Sequence, residues 1–581
     1  MENMLRLVTG RIGCGKTARI YEEIRKITEQ GGEVTLVVPE QYSFHTEKKM
    51  LEMLGARGAD RVNVVSFSFL AKNLLKKYGL NSEKSLDDST RAMLMSVALD
   101  EAGDDLQVYS RHRYSPAVIL QMLKTLKDFR QCSVTSDKIE ETLAKLKPSL
   151  LKDKLGEILL IDRTYTALVE QNYFDDDCAL DILCDVLDEH RDFDGAEVFV
   201  DGFRGFTAQE YAVLERIMHQ SAETWVTLCV DKADDEFGVF AHTFRTKRKL
   251  IRCAQKSGTD IAKPEFLTRD GSIDPELNAL EKGLYSGGAE IYGEKTKKIT
   301  LCSAEDFESE CEFVACTIKR LIRTENIRCR DIAVISRSEN NYSRQIRSAL
   351  IKNGVPVFED KRQPITSEPL IEFVRSAIEI GTSGFSTDAL MRLAKTGLTD
   401  LTIEEIAKIE NYALMWQING KKWLDEWTAH PNGLGEKMLE KDAVELREIN
   451  DTRIKLVAPL QKFRVKLRDF TSLEAAQAIY YLLIDMNVGE NLKKLAIKLN
   501  ESLQSELASE QERIWSLTME MLDRIADSLE GVRLTPSRFR ELFDLLVSTY
   551  SVGNLPQGLD EITIGSADTV SYTHLRAHET G

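Results

Sequence analysis

The sequence predicts an α/β protein with two parallel β-sheets, each interrupted by a long helical insertion. Short β-branched apolar runs alternate with amphipathic helical segments near the N-terminus and again near the middle of the chain. This is the pattern of parallel strands joined by helical crossovers. Two long stretches with helical periodicity separate these parts, and strand signals return after each. The 581 residues exceed what one hydrophobic core organises, so roughly three or four domains are expected.

The first α/β domain is expected in two pieces, residues 1–79 and 191–290, with a helical insertion at 80–190 between them. Because a parallel strand pair needs a crossover of a dozen or more residues, the spacing of the apolar runs predicts a parallel sheet. The predicted strands are residues 5–9, 34–38, 62–65, 197–200 and 225–230, and the predicted first helix is 17–30.

A second α/β domain is expected to begin at residue 291, again with a helical insertion. Its predicted strands are residues 299–302, 331–335, 355–358 and 559–564, and its first predicted helix is 308–323. The predicted limits are 291–381 for its first part, 382–557 for the insertion and 558–568 for the start of the return to the sheet. This second domain is therefore expected to be incomplete. Residues 569–581 do not continue the pattern, look non-native, and are excluded from the fold prediction.

A glycine-rich segment follows the first predicted strand and opens the first predicted helix. It reads Gly10, Arg11, Ile12, Gly13, Cys14, Gly15, Lys16 and Thr17, the pattern of a phosphate-binding P-loop. Its glycines permit a close backbone approach, so that N–H groups at the helix N-terminus point at a phosphate. Lys16 would contact the β- and γ-phosphates, and Thr17 would contact Mg²⁺. These residues are therefore predicted to bind ATP.

The predicted strand at residues 197–200 is followed by Asp201, in the position of the aspartate that holds Mg²⁺ in such sites. The next residue is Gly202, where motor ATPases usually carry the glutamate that positions the attacking water. A strand-terminal aspartate is also common in α/β proteins without this function, and that alternative stays open. The sequence predicts Mg²⁺ binding through Thr17 and Asp201 without the usual base for hydrolysis.

The net charge of −17 disfavours a protein that coats nucleic acid through its overall charge, although a local basic groove remains compatible with it. One local basic run contains Arg245, Lys247, Arg248 and Lys249. These side chains are candidate DNA contacts, and a solvated helix face is the alternative. Phe67 and Phe69 are candidates for stacking on DNA bases, and packing in the core is the alternative.

The chain has no run of about 18 apolar residues, and its N-terminus lacks the apolar segment of a signal peptide. Its 10 cysteines are scattered singly, which favours reduced thiols over a disulfide framework or a zinc site. These features predict a cytoplasmic protein.

Three N-terminal segments read LRLVTGRIGCGKT, LVVPEQYSF and VNVVSFSFLA. They resemble the AddB subunit family of bacterial AddAB helicase–nucleases. The stretch VFVDGFRGFTAQEYAVLERI is similar to that family's altered Mg²⁺-binding strand, including the glycine. DIAVISR resembles a helicase motif whose arginine, here Arg337, reaches the nucleotide from the second motor domain, and LDEITIGSAD resembles the strand that re-enters that domain. The resemblance covers residues 1 to about 568.

The resemblance implies a P-loop, superfamily 1 helicase-like fold with two RecA-like domains. It implies an ATP-binding, motor-inactivated subunit of a heterodimeric helicase–exonuclease that processes DNA double-strand breaks for homologous recombination. Such a subunit would bind double-stranded ends and single strands, scan for a recombination hotspot sequence and pair with an AddA-like helicase–nuclease subunit. The family's nuclease domain and the ligands of its iron–sulfur cluster are expected to be absent from this chain.

Two alternatives stay open. An autonomous ATP-dependent superfamily 1 DNA helicase would need a glutamate in place of Gly202 and a complete second motor domain. A structural scaffold would retain the P-loop as a vestige without using it.

Overall fold

A computed structural model of the chain describes residues 3–80, 86–170, 173–231, 237–268, 274–284, 291–336, 339–359, 362–433, 438–467, 470–502, 505–529, 533–553 and 560–565. Within these ranges the chain forms a large parallel sheet, a smaller parallel sheet and two groups of helices. The predicted nucleotide-binding residue Arg337 and the segment 569–581 lie outside the described residues.

The N-terminal part alternates strand and helix, as predicted. Its elements are β1 (Met4–Gly10), α1 (Lys16–Glu29), β2 (Val34–Val37), α2 (Ser43–Ala59), β3 (Val62–Val65) and α3 (Phe67–Lys77). β2 and β3 pair in parallel, so α2 is a crossover helix between them. α3 begins at a side-chain cap, because the Ser66 hydroxyl accepts a hydrogen bond from the N–H of Phe69.

A first group of helices follows: α4 (Asp88–Glu101), α5 (Pro116–Gln131), α6 (Ser136–Lys145), α7 (Leu150–Glu170) and α8 (Ala179–Glu189). Residues of α4, α5 and α7 share one apolar core. Glu157 of α7 is buried and accepts hydrogen bonds from the backbone N–H groups of Gln107, Val108 and Tyr109, which holds the loop between α4 and α5. α8 instead places Leu183 and Leu187 in the core of the large sheet.

The chain then returns to the large sheet through β4 (Glu197–Val200), α9 (Ala208–Gln220), β5 (Glu223–Cys229), α10 (Ala241–Ser257), β6 (Asp260–Ile261), β7 (Glu265–Phe266) and α11 (Pro275–Gly283). The strand order is β3-β2-β4-β5-β1-β6, and β7 also pairs with β1. All the pairs are parallel. Leu7 and Val8 face separate cores on opposite sides of the sheet, as expected for parallel strands covered on both faces.

The next elements are α12 (Phe307–Glu325), β8 (Ala333–Ile335), α13 (Glu339–Lys352), β9 (Val357–Glu359), β10 (Arg362–Pro364) and α14 (Pro369–Ser383). The strands β8 and β9 belong to the smaller sheet. The predicted domain limit at residue 381 falls inside α14, whose apolar residues pack with the helices that follow.

The remaining elements are mostly helical: α15 (Thr387–Ala394), α16 (Ile403–Met415), α17 (Glu440–Lys466), β11 (Phe470–Thr471), α18 (Ser472–Asp485), α19 (Val488–Glu501), α20 (Ser505–Ser528), β12 (Arg533–Leu534), α21 (Pro536–Thr549), β13 (Ser551–Gly553) and β14 (Ile562–Gly565). β11 pairs with β12, and β10 pairs with β13, as short antiparallel ribbons. β14 lies between β8 and β9 in the smaller sheet and pairs with both in parallel. β14 overlaps the strand predicted at residues 559–564.

The strand predicted at residues 299–302 is absent from the structure, where these residues have no regular secondary structure. The backbone N–H groups of Lys297, Lys298 and Ile299 donate to the carboxylate of Glu276 in α11, so the start of this segment is held by a side chain. Leu301 is almost fully exposed. The predicted strand is therefore wrong, because the apolar side chains of this run are not buried in a sheet.

The two helical groups pack on each other. Leu545 of α21 lies in the same apolar core as Leu99 of α4. The guanidinium of Arg538 donates to the carbonyl oxygen and the hydroxyl of Ser96, at 3.2 and 2.7 Å. Arg524 of α20 donates to the Thr90 hydroxyl at 2.7 Å. Apolar and polar contacts thus connect elements that are more than 400 residues apart in sequence.

Glu197, the first residue of β4, generates a prediction about pH. Its Oε2 atom is buried without a hydrogen-bond partner in the described part of the chain. Burial, followed by repulsion from Glu223, raises the pKa of Glu197 to about 7. Since the folded-state pKa exceeds the unfolded one, ionisation destabilises the fold fully above pH ~7 and not below pH ~4.5.

We therefore expect Glu197→Gln to raise the thermal unfolding midpoint at pH 8 by about 2–4 °C and to leave it nearly unchanged at pH 4.5. The exposed Glu29→Gln is the matched control and should have no effect at either pH. Equal effects of Glu197→Gln at both pH values, measured by differential scanning calorimetry, would contradict this assignment.

Candidate nucleotide-binding site

The glycine-rich loop connects β1 to α1 at the carboxyl edge of the large sheet. Gly10, Gly13 and Gly15 have positive φ angles of 155°, 73° and 84°, which glycine adopts without the steric penalty of a Cβ. At Gly10, a Cβ would also lie 2.5 Å from both the Cys14 sulfur and the Leu267 carbonyl oxygen. The course of the loop therefore depends on glycine at these positions.

The loop leads directly into the N-terminus of α1. This helix begins at Lys16 and has no acidic side chain in its first turn. The N–H groups of a first helical turn have no partners within the helix, and the helix dipole favours an anion in front of them. Lys16 Nζ donates to the carbonyl oxygens of Gly10, at 3.0 Å, and Arg11, at 2.7 Å. The ammonium group is thus held at the loop that would surround a phosphate.

Asp201 follows β4 at the same edge of the sheet. It is 3% exposed, and its carboxylate accepts hydrogen bonds from the hydroxyls of Thr17, at 2.9 Å, and Thr227, at 2.5 Å. The start of α1, the end of β4 and β5 therefore converge on one carboxylate. Mg²⁺ prefers hard oxygen ligands, and P-loop sites hold it through this pairing of a loop hydroxyl with a strand-terminal aspartate. The two residues fit the predicted Mg²⁺ position.

Gly202 is constrained by its neighbours as well as by its backbone. Its φ angle is 87°, in the left-handed region. A Cβ at this position would lie 3.3 Å from the Tyr42 ring and 3.4 Å from the Pro39 ring, tighter than most contacts of a real Cβ. A glutamate at position 202 would therefore be strained in this backbone conformation and would crowd both rings.

Arg11 has partners that the sequence did not reveal. Its guanidinium donates to the carboxylates of Asp231, at 2.5 Å, and Glu281, at 3.1 Å. It also lies 5.6 Å from the centroid of the Phe240 ring. The hydrogen bond to Asp231 makes the largest contribution to raising the pKa of Arg11 above its ordinary value. This side chain links the P-loop to the end of β5 and to α11. The predicted contact of Arg11 with the nucleotide would therefore be made by its backbone atoms.

The predicted basic residues lie together on α10. Arg245, Arg248 and Lys249 are exposed, and Lys247 is half-buried. Leu250 and Ala254 of the same helix pack into the core of the sheet. The basic side chains therefore occupy the outer part of a well-anchored helix, and both the DNA-contact prediction and its solvated-face alternative are compatible with this position.

The two predicted phenylalanines have different environments. Phe67 is buried, and its ring packs edge-on against Phe203 and Phe206 at centroid distances of 5.5 and 6.1 Å. The proposed base-stacking role of Phe67 is thus corrected in favour of core packing, because neighbouring rings already cover it. Phe69 is 50% exposed.

Two further exposed phenylalanines follow strands of the same sheet. Phe44 lies in the first turn of α2, after β2, and Phe237 lies after β5 and is 93% exposed. Together with Phe69, which follows β3, they mark the carboxyl edge of the sheet. The sequence analysis did not identify Phe44 or Phe237 as candidate DNA contacts, although each is an aromatic residue that follows an apolar strand.

No group of three or more His, Cys, Asp or Glu side chains is arranged to hold a metal ion among the described residues. Across the same ranges, the structure contains no helix that combines the length and apolar character needed to cross a bilayer.

Comparison with known proteins identifies two regions. Residues 7–281 match the family described as "ADDB, N-terminal", and residues 239–426 match the UvrD-like helicase C-terminal domain. The second match supports the predicted superfamily 1 helicase-like fold.

Relatives align over nearly the whole chain, and each is named as the B subunit of an ATP-dependent helicase/deoxyribonuclease. The protein of Thermoanaerobacter sp. (strain X514) is 30% identical over 99% of this chain and 51% of its own length. That of Clostridium novyi (strain NT) is 30% identical over 99% and 50%. That of Caldanaerobacter subterraneus subsp. tengcongensis is 29% identical over 97% and 50%. The chain thus spans about half the length of these relatives, and the resemblance seen in the sequence is confirmed.

The environment of Gly202 predicts the outcome of introducing the missing acid. We expect Gly202→Glu to destabilise the protein by about 1–2 kcal/mol, because a side chain is disfavoured at this φ angle and would crowd the Tyr42 and Pro39 rings, and to leave ATP turnover unchanged. Gly195→Glu is the matched control for the ring contacts: it shares the positive φ angle, but a Cβ there would meet no atom within 4 Å, so it should destabilise the protein less. A marked gain in ATP hydrolysis by Gly202→Glu, measured by phosphate release, would contradict this prediction.

Proposed function

We propose that this chain, which aligns over nearly its whole length with B subunits of ATP-dependent helicase/deoxyribonucleases, is an ATP-binding, motor-inactivated part of an AddB-family subunit. The observation that carries the proposal is the Thr17–Asp201 pair at the P-loop, directly followed by Gly202. A nucleotide site with a Mg²⁺ position but no adjacent glutamate is suited to holding ATP rather than to turning it over rapidly.

ATP–Mg²⁺ would bind at the carboxyl edge of the large sheet. The N–H groups of the loop and the ammonium group of Lys16 would contact the phosphates, and the oxygens of Thr17 and Asp201 would hold Mg²⁺. Mg²⁺ held by Thr17 and Asp201 would supply positive charge that offsets the negative charge of the phosphates. The hydrogen bond from Thr227 would hold the Asp201 carboxylate in place for this role.

Hydrolysis needs a group that orients and deprotonates the attacking water. Gly202 supplies no such group, and a Cβ there would crowd the Tyr42 and Pro39 rings at 3.3 and 3.4 Å. The nucleotide would therefore stabilise one arrangement of this domain, in the manner of a sensor. Repeated cycles of hydrolysis would be the task of another subunit.

DNA would be bound along the same edge of the sheet. Phe44, Phe69 and Phe237 are exposed there, and aromatic side chains of this kind stack on bases of a single strand. Arg245, Arg248 and Lys249 on α10 would add contacts to phosphates. These local contacts are compatible with the overall charge of −17, because phosphate contacts depend on the nearby field.

The wider role follows from the family. The relatives are named as one subunit of an enzyme, which indicates a partner chain, and we propose an AddA-like helicase–nuclease subunit in a cytoplasmic heterodimer. The complex would process DNA double-strand breaks for homologous recombination, and this chain would grip ends and scan for a hotspot sequence. Nuclease activity and an iron–sulfur cluster would be properties of the whole enzyme, and this chain spans about half the length of the relatives named as its B subunit. An autonomous helicase would instead require rapid turnover at this site.

The nucleotide proposal is tested by removing one charge. Lys16→Ala is expected to weaken binding of a non-hydrolysable ATP analogue with Mg²⁺ beyond detection in titration calorimetry, because it removes the point charge on the phosphates. Lys26→Ala on the same helix is the matched control, since Lys26 is exposed and pairs with Glu23 at 3.1 Å. Unchanged affinity in Lys16→Ala, or no binding by the wild-type chain, would favour the scaffold with a vestigial P-loop.

The DNA proposal is tested at Phe69. Phe69→Ala is expected to lower affinity for a fluorescein-labelled oligo-dT strand roughly tenfold, because it removes one stacking surface. Phe313→Ala is the matched control, with a similarly exposed ring on α12. Equal affinities of the two variants in fluorescence anisotropy at constant salt would argue against a strand bound at this edge.

A further inference from the structure

A groove lies between α18, α19 and α20, in the helical region that follows the smaller sheet. Its volume is about 460 Å³, within the range of sites that bury a ligand or an inserted side chain. Its apolar walls are formed by Leu483, Ile484, Leu492, Ala496 and Trp515. None of these residues belongs to the nucleotide site or to the aromatic edge of the large sheet.

One buried polar atom in this groove lacks a partner. Gln511 lines the groove and is 5% exposed. Its Nε2 atom donates to Glu368 at 3.3 Å, whereas its Oε1 atom accepts no hydrogen bond from the part of the chain that the structure describes. Buried polar atoms are normally bonded, and an unsatisfied one is destabilising. An occupant that brings a single N–H or O–H donor would satisfy it.

The rim of the groove is mainly acidic. Glu490 and Glu512 line it together with Lys493, and Lys493 is already paired with Glu490 at 2.9 Å. Two of the three charged side chains that line the groove are therefore carboxylates, and this lining disfavours the phosphates of a DNA strand. It favours an occupant with positive charges on either side of its apolar part.

An exposed apolar stripe on α18 extends from the groove. Leu473, Tyr480 and Ile484 are each about half exposed. Their spacing of seven and four residues places them on one face of the helix. A polypeptide segment that enters the groove would therefore have a further apolar surface along which to lie, which a small molecule would not need.

We propose that this groove is a docking site for a polypeptide segment of another protein, which inserts a tryptophan flanked by lysine or arginine. The indole ring fills the apolar walls, its N–H donates to Gln511 Oε1, and the basic neighbours face Glu490 and Glu512. Tryptophan suits the site because it combines a large apolar body with one donor. This site is independent of the proposed nucleotide function.

The probe is a phage-displayed library of random peptides, selected on the full chain and followed by synthesis of the enriched sequences. We expect the enriched peptides to share a tryptophan between basic residues. Ala496→Trp, which fills the groove, and the double reversal Glu490→Lys with Glu512→Lys should each weaken their binding about tenfold or more in fluorescence anisotropy. Gln511→Leu should reduce affinity for the tryptophan peptide, but not for the same peptide with naphthylalanine, which lacks the donor.

Glu501→Lys is the matched control, because Glu501 ends α19 outside the groove and is exposed. Retained ATP-analogue binding and an unchanged circular dichroism spectrum will identify variants that remain folded. Failure to enrich such peptides, or equal binding to the wild type and to Ala496→Trp, would overturn the proposal. A loss of oligo-dT affinity in Ala496→Trp, without peptide binding, would assign the groove to DNA and would also overturn it.

Discussion

The buried carboxylate of Asp201 is the constraint on which the candidate nucleotide site depends. A charge at this depth is costly unless hydrogen bonds satisfy it, and the hydroxyls of Thr17 and Thr227 do so. Those two donors come from α1 and β5, while Asp201 follows β4, so one electrostatic requirement aligns three elements. The loop, the strand end and the helix dipole then face the same space. The sheet thus positions the Asp201 carboxylate and Thr227, and the loop glycines permit the backbone conformation beside them.

The same compactness explains why this site differs from that of an active motor. Gly202 turns the chain away from β4 in a left-handed conformation, against the rings of Tyr42 and Pro39. Arg11 is held by Asp231 and Glu281. The backbone beside the predicted Mg²⁺ position is therefore engaged in packing and ion pairing. The proposed loss of motor function would follow from this local geometry as well as from the missing side chain.

The large sheet was predictable because its strands are buried on both faces. Such strands appear as short β-branched runs, and their separation by helical segments leaves parallel pairing as the simple solution. The run at residues 299–302 resembles these strands in sequence. It is nevertheless exposed, because backbone N–H groups at its start donate to Glu276 instead of to a neighbouring strand. The sequence alone did not distinguish the environments of Phe67 and Phe69. Packing against Phe203 buries the Phe67 ring, whereas the Phe69 ring is half exposed.

The sequence by itself determined the glycine-rich loop, the strand that leads to Asp201, the resemblance to a family and the alternation of sheet-forming and helical segments. These features depend on residue type at short spacing, which local sterics and hydrophobic periodicity translate directly. Tertiary structure alone decided the partners of Arg11, the bonding of the N–H groups near residue 299 to the Glu276 carboxylate, and the contact between α4 and α21. It also decided the groove and its Gln511 oxygen, which has no hydrogen-bond partner among the described residues. Each of these joins residues that are distant in the chain, and burial and charge pairing across such distances exist only once the elements have packed.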